Sequence, residues 1–332
     1  MNIVYATSDL YSRPALISIK SLLANNIRAN EINIYYVENG LSEQNKRLIS
    51  ELVSSYGRII EFIKMPDYLK NIDGLMRTNP IVYSYCFFQD ILPLKIEKVL
   101  LLEGDSIVVN DIQEYFDLPI DDYYLAATDD FQSKWYKRIL GMKETSVYFN
   151  SGIMLFNLKK IRKDGITQKI TNLIEGGKSK FFYEVQDEMN VLFENEILVL
   201  PPRFNATTSV FLFNYKNMIR YRQPSTCCTK NEFEEARNNP LVVHFTKNQI
   251  IQSRPWVVDC KHEYNEYYLN LKKETALKDE PLWYENRKLA NKLAYCLYKS
   301  VFKSVMAWGL GYIHGVVYPI SMYLRKKRSV EK

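Results

Sequence analysis

Residues 99–111, Val-Leu-Leu-Leu-Glu-Gly-Asp-Ser-Ile-Val-Val-Asn-Asp, constrain this chain more than any other segment. Four apolar residues, 99–102, read as a buried strand that stops abruptly at Glu103-Gly104-Asp105, and apolar residues resume at Ile107. Carboxylates rarely lie buried unless they are paired or hold a cation. Two of them flanking a glycine at a strand end form a compact pair of oxygen ligands for a hard divalent cation. Gly104 lets another group approach the backbone closely. A turn with two solvated acids is the competing reading of the same residues.

The surrounding pattern places this strand in a layered domain. Residues 2–7 form a short apolar strand, Ser12 and Pro14 signal a helix start, and residues 15–23 carry helical periodicity. A second strand follows at 32–37. Ser42 caps a helix with Glu43 in its first turn, Gly57 ends it, and residues 58–65 form a third strand. A helix over 81–92 closes at Pro93 and leads into the acidic strand. Such alternation predicts an α/β fold with a mostly parallel central sheet flanked by helices. Ligands of such sheets bind at the carboxyl ends of the strands. The first strand ends at Ala6-Thr7-Ser8-Asp9, so it and the acidic pair can open onto one crevice. Further on, residues 147–158 read as a strand broken by Asn150-Ser151-Gly152, a helix begins near Gln186 and Asp187, and 241–245 is a strand carrying His244. Residues 1–280 are expected to form one domain.

Charge separates the tail from the rest. The chain of 332 residues is net +6, yet residues 285–332 carry ten Lys/Arg against two Glu, so the preceding body is net −2. A nucleic-acid-binding surface on the body is therefore not indicated. The first strand is not followed by Gly-x-Gly-x-x-Gly, which argues against a dinucleotide dehydrogenase. Five scattered cysteines without metal spacing favour reduced thiols in a cytosol, and no secretory segment opens the sequence. Within 281–332, Leu289, Leu293, Leu297 and Val301 share a face among lysines. Residues 305–324 lack formal charge, but Gly309, Gly311, His314, Gly315, Pro319 and Ser321 make them a poor membrane span. Basic amphipathic helices lying on an anionic membrane surface, with Trp308 near the headgroups, are the expectation. A basic helix packed on the protein's own body is the other reading.

Five blocks in order resemble glycosyltransferase family 8, retaining enzymes of the GT-A fold that include bacterial galactosyl- and glucosyltransferases of lipopolysaccharide and capsule. They are NIVYATSDLY, LLEGDSIV, FNSGIMLFNL, VQDEMNVLF and HFTKNQIIQSRPW, spread over residues 2–256. The resemblance implies transfer of a hexose, glucose or galactose, from a UDP-sugar to a cell-surface saccharide or lipid-linked acceptor. It implies Glu103, Asp105 and His244 as ligands of Mn²⁺, with Mg²⁺ second because imidazole suits manganese better. It further implies a nucleotide site at Ala6, Thr7, Ser8, Asp9 and Tyr11. Lys247 and Arg254 would meet the diphosphate, and Asn150, Ser151, Gly152 and Tyr85 the donor sugar. Gln186, Asp187 and Asn150 would surround the reacting carbon in a front-side mechanism. Bacterial members imply a cytoplasmic enzyme, peripheral on the inner face of the plasma membrane. Departures from the family pattern are Glu103 and Ser8 in place of aspartates, Tyr85 in place of an arginine, Val185 in place of an aspartate and Lys247 in place of a glycine. They leave open a catalytically weakened binding or scaffold protein that keeps the fold.

Overall fold

The computed structural model describes residues 1–70, 80–176, 183, 185–300 and 302–330, the last six as backbone only. Ten strands are β1 (Asn2–Ala6), β2 (Asn33–Glu38), β3 (Ile59–Lys64), β4 (Lys98–Leu102), β5 (Ser106–Val108), β6 (Leu125–Asp129), β7 (Phe149–Asn157), β8 (Ile197–Leu200), β9 (Ala206–Thr207) and β10 (Val242–His244). Seven form the central sheet in the order β3-β2-β1-β4-β7-β6-β8. All run parallel except β7, which is antiparallel to both β4 and β6. A small second sheet has the order β5-β10-β9.

The mostly parallel, helix-flanked sheet expected from the sequence is present, and its burial explains the apolar runs. Alternate residues of β1, β4 and β7 feed two cores, one on each face. Ile3, Leu100, Leu102 and Leu155 pack on one side and Val4, Val99, Leu101 and Phe156 on the other. Helix α1 (Ser12–Asn25) is buried at every position from Ser12 through Leu23 except Arg13. Ser21 Oγ accepts a 2.8 Å hydrogen bond from the Val108 amide, tying α1 to the small sheet. Ser42 caps helix α2 (Glu43–Ser55) as expected, and Gly57 ends it in the left-handed region at φ +66°.

One expectation needs correction. The 147–158 segment is not broken at Asn150-Ser151-Gly152. β7 runs without interruption through all three, every residue buried, because small side chains let it pass beneath the site. The helix start signalled by Ser12 and Pro14 is present: α1 begins at Ser12, with Tyr11 preceding it, and the Ser12 hydroxyl donates back to the Asp9 carbonyl at 2.6 Å.

The tail forms helices at Leu289–Lys299, Lys303–Tyr312 and Tyr318–Val330, the last two joined by a π-helical turn, Ile313–Val317. Among the described residues no helix is long and apolar enough to cross a membrane. The tail packs on the body: Met306 and Ala307 are buried, and Tyr298 donates to the Leu212 carbonyl at 2.7 Å. Leu289, Leu293, Leu297, Val305 and Trp308 face outward. Val301 and the side chains of the 325–328 basic cluster lie outside the described residues.

Candidate active site

The Glu103-Gly104-Asp105 turn links the two sheets. On one side it extends β4, whose last residue pairs with Ile153, and the Glu103 amide donates to the Gly152 carbonyl at 3.1 Å. On the other it leads into β5, where Ser106 pairs with His244 of β10. The two registers bring an imidazole onto the acidic pair from 139 residues downstream. His244 Nε2 lies 3.3 Å from Glu103 Oε2 and 3.2 Å from Asp105 Oδ1. One ligand atom from each of the three residues falls within 4.8 Å of the others.

The electrostatics follow from this crowding. Burial opposes charge on His244, but Asp105 and then Glu103 outweigh it and push the imidazole up to about 10. Burial likewise opposes charge on Asp105, and His244 followed by Arg254 holds the carboxyl below its ordinary value. The two acids thus attract one positive charge into the cluster, which a proton or a divalent cation can supply. His244 Nδ1 lies 3.2 Å from Asn205 Oδ1, whose own amide donates to Asn150 Oδ1 at 2.9 Å. A proton on Nδ1 satisfies Asn205 and presents the Nε2 lone pair to a cation, the arrangement that orients ligating histidines. The donor set of two carboxylates and one imidazole therefore fits a divalent metal.

Two cavities meet at this cluster. One, of about 290 Å³, is lined by Ala6, Thr7, Ser8, Tyr11, Ile81 and Gly104, and shares Val82, Tyr85, Glu103 and Asp105 with the second. The second, of about 480 Å³, adds Asn150, Ser151, Gly152, Gln186, His244 and Lys247. Gly104 is a place of close approach, since a Cβ there would lie 3.0 Å from Ala15 Cβ. Gln186 Oε1 accepts from the Ser151 amide at 3.0 Å, and its amide nitrogen lies 3.3 Å from the Tyr148 hydroxyl. Arg254 donates to the Tyr11 hydroxyl at 3.1 Å and lies 3.8 Å from Asp105 Oδ2. Lys247 is largely exposed, 3.5 Å from Glu285.

Residues 2–259 match the model of the family described as glycosyl transferase family 8. The chain belongs to that family. It is 28% identical over 274 residues to general stress protein A of Bacillus subtilis, covering 81% of this chain and 92% of the relative. It is 24% identical over 284 residues to a lipopolysaccharide 1,2-glucosyltransferase of Escherichia coli, covering 81% and 77% respectively. Its fold matches the crystal structure of the galactosyltransferase LgtC in complex with donor and acceptor sugar analogs, with a TM-score of 0.70 and 25% identity over 83% of this chain and 96% of that one.

Within this family 8 glycosyltransferase, two sequence-selected residues stand away from the open cavity. The Asp9 carboxylate accepts from the Ser42 amide and hydroxyl, each at 2.8 Å, and from the Asn45 amide at 2.7 Å, fastening the start of α2. Asp187 is fully buried and accepts from the Tyr136 and Tyr148 hydroxyls and the Tyr183 amide, the Tyr148 bond measuring 2.5 Å. Tyr85, which replaces the family arginine, donates to Glu103 Oε1 at 3.2 Å. The sequence reading missed Asn205, Tyr136, Tyr148, Asp130 and Arg222. Only Asp130 carried a signal: Thr128-Asp129-Asp130 ends a strand on acids, as residues 103–105 do.

Proposed function

We propose that this glycosyltransferase moves a hexose, glucose or galactose, from a UDP-sugar to a cell-surface saccharide or lipid-linked acceptor with retention of configuration. The observation that carries the reading is the convergence of Glu103, Asp105 and His244 where two cavities join. A divalent cation held there, manganese before magnesium, would offset the negative charge that builds on the departing diphosphate. Ala6, Thr7, Ser8 and Tyr11 would receive the nucleotide. Arg254, fixed between Tyr11 and Asp105, and Lys247 would add charge-assisted hydrogen bonds to the diphosphate.

Asn150, Ser151, Gly152 and Tyr85 would meet the donor sugar. Gln186 is a poor nucleophile, but its amide is held in one orientation by Ser151 and can stabilise positive charge at the reacting carbon. A front-side route fits, in which the departing diphosphate takes the proton of the acceptor hydroxyl. Asp187 then serves by holding the turn of helix that carries Gln186. Residues 1–280 would be the catalytic unit. The outward apolar residues of 281–332 would rest on the anionic inner face of the plasma membrane, as expected for an enzyme handling a lipid-linked acceptor. The relatives named for lipopolysaccharide glucosyl transfer support this acceptor class.

The test is a panel of UDP-, GDP-, CDP- and TDP-hexoses with Mn²⁺, read as slow donor hydrolysis. Hydrolysis confined to a UDP-hexose and abolished by chelation is expected. Metal-dependent UDP binding without turnover of any donor would establish the weakened binding protein instead.

A further inference from the structure

A third cavity, of about 170 Å³, opens beside the proposed donor-sugar site and shares Tyr183 and Lys247 with it. Part of its wall is built by the tail, through His314, Gly315 and Tyr318. The tail is seated there by backbone contact. A Cβ at Gly311 would lie 2.1 Å from the Arg220 carbonyl oxygen, so only glycine lets the Lys303–Tyr312 helix approach the Tyr215–Arg222 helix. The Ser133 hydroxyl donates to the Gly315 carbonyl at 2.6 Å, within the π-helical turn. Such turns occur mostly as single-turn insertions in α-helices, and frequently at functional sites.

The lining chemistry selects the ligand. Among the described residues no aliphatic side chain contributes; the walls are phenol rings, the amides of Gln132 and Gln249, an imidazole and two cations. Both cations are compensated. Arg222 is paired with Asp130 at 3.0 Å and Lys247 with Glu285 at 3.5 Å. Burial and then the neighbouring Arg222 draw His314 below its ordinary value, so its imidazole is neutral near pH 7. A neutral cavity with ring faces and hydrogen-bonding groups suits a pyranose rather than a phosphate or an acyl chain. The cavity is also wired to the reacting centre. Asp130, which holds Arg222, is 3.4 Å from the Gln186 amide nitrogen, and Arg222 Nε is closed off from solvent with no partner of its own among the described residues.

We propose that the tail, through His314 of its π-helical turn and Tyr318 at the start of the next helix, completes an acceptor subsite that takes the terminal hexose ring of a neutral saccharide. The proposal rests on the glycosyltransferase reading above and adds to it a role for residues that the family match, ending at 259, does not reach. Ile313 and Val317 of the same turn face outward, so one turn offers a sugar-binding side and an apolar side.

Full-length protein is assayed with UDP-glucose or UDP-galactose and Mn²⁺, using octyl glucosides and octyl galactosides as acceptors. In His314→Ala and Tyr318→Ala the acceptor KM should rise at least tenfold while the donor KM moves less than twofold. Gln249→Ala, on the body side of the cavity, should raise the acceptor KM as well without touching the tail's seat. Unchanged acceptor KM in all three variants, or equal changes in donor and acceptor KM, overturns the subsite. It is overturned too if the wild-type protein hydrolyses donor and no hexoside accepts the sugar or alters the hydrolysis rate. Failure of the wild type to hydrolyse any donor would instead remove the glycosyl-transfer reading, a result seen before any variant is made.

Discussion

Gly152 lies against His244 with no room for a side chain: a Cβ on Gly152 would come within 2.3 Å of the imidazole Cε1 and 2.5 Å of Glu103 Oε2. The glycine of a buried strand thereby sets the spacing of two of the three candidate ligands. Gly152→Ala should displace both. Overpacking of this kind costs about 1–3 kcal/mol in stability. Loss of ligand geometry should cost about 10–100-fold in metal affinity. Calorimetric titration with Mn²⁺, alongside a melting curve, separates the two effects.

The acids themselves should differ. Asp105→Ala removes the carboxylate nearest both His244 and Arg254 and should slow donor hydrolysis at least about a hundredfold, the scale of losing a key electrostatic stabiliser. Glu103→Asp should retain measurable activity, since aspartate is the residue the family pattern has there, whereas Glu103→Gln should weaken metal binding. Full activity in excess chelator would sink the metal assignment.

Ser8 reports on the base. It lines the cavity proposed for the nucleotide. With a uracil donor, Ser8→Asp should preserve or tighten binding, because a carboxylate accepts from the ring N–H. With a cytosine donor, whose equivalent nitrogen is itself an acceptor, the same change should weaken binding. Competition between UDP and CDP measured on both proteins reads the sign, and tightening toward UDP is expected.

The pH response of the metal-free protein follows from His244. Its folded value, about 10, is above the ordinary unfolded value near 6.5. The stabilisation is therefore fully present below about pH 6.5 and is lost as pH rises through about 10. Thermal melting in chelator should fall across that window, and saturating Mn²⁺ should flatten the fall, because the cation replaces the proton between the acids. Asp105, held low, contributes in the opposite sense, and its stabilisation is lost only in strong acid.

For the tail, substitution tests the surface better than deletion. Removing residues 287–332 would uncover the surface that Met306 and Ala307 cover and should lower the melting temperature. Val305→Ser with Trp308→Ser changes only outward side chains and should reduce flotation with anionic vesicles at least tenfold while leaving the melting temperature in place. High salt should release only part of the unaltered protein, since apolar insertion is not screened. Unchanged flotation would place the membrane-facing surface elsewhere.

The layered fold was legible because apolar runs such as 99–102 and the glycine at 57 act locally. The five blocks were legible as site segments because their polar residues interrupt those runs at strand ends. What joins the segments was not. Asn205 carries no local mark, yet it bridges His244 to Asn150. Asp187 has the same composition whether it faces a sugar or two tyrosine hydroxyls, and only the packing of Tyr136 and Tyr148 decides. The small residues 150–152 looked like a strand break because pattern reading cannot distinguish a turn from a strand that must leave space above it. The seating of Gly311 on Arg220 is a contact across 91 positions, beyond any periodicity.

The reversed strand β7 has a consequence for biosynthesis. It fills the gap between β4 and β6, both of which precede it in the chain. Until residue 157 has left the ribosome, the inner edge of β4 has no partner and remains an open template for other chains. At about 5–20 residues per second, His244 follows Asp105 by roughly 7–28 seconds. Throughout that interval the two acids stand together without their imidazole. The nascent body thus has an open sheet edge between the synthesis of β4 and that of β7, and an acidic turn without its imidazole until β10 is made, so the order of strands sets the order in which the seam and then the charge are covered.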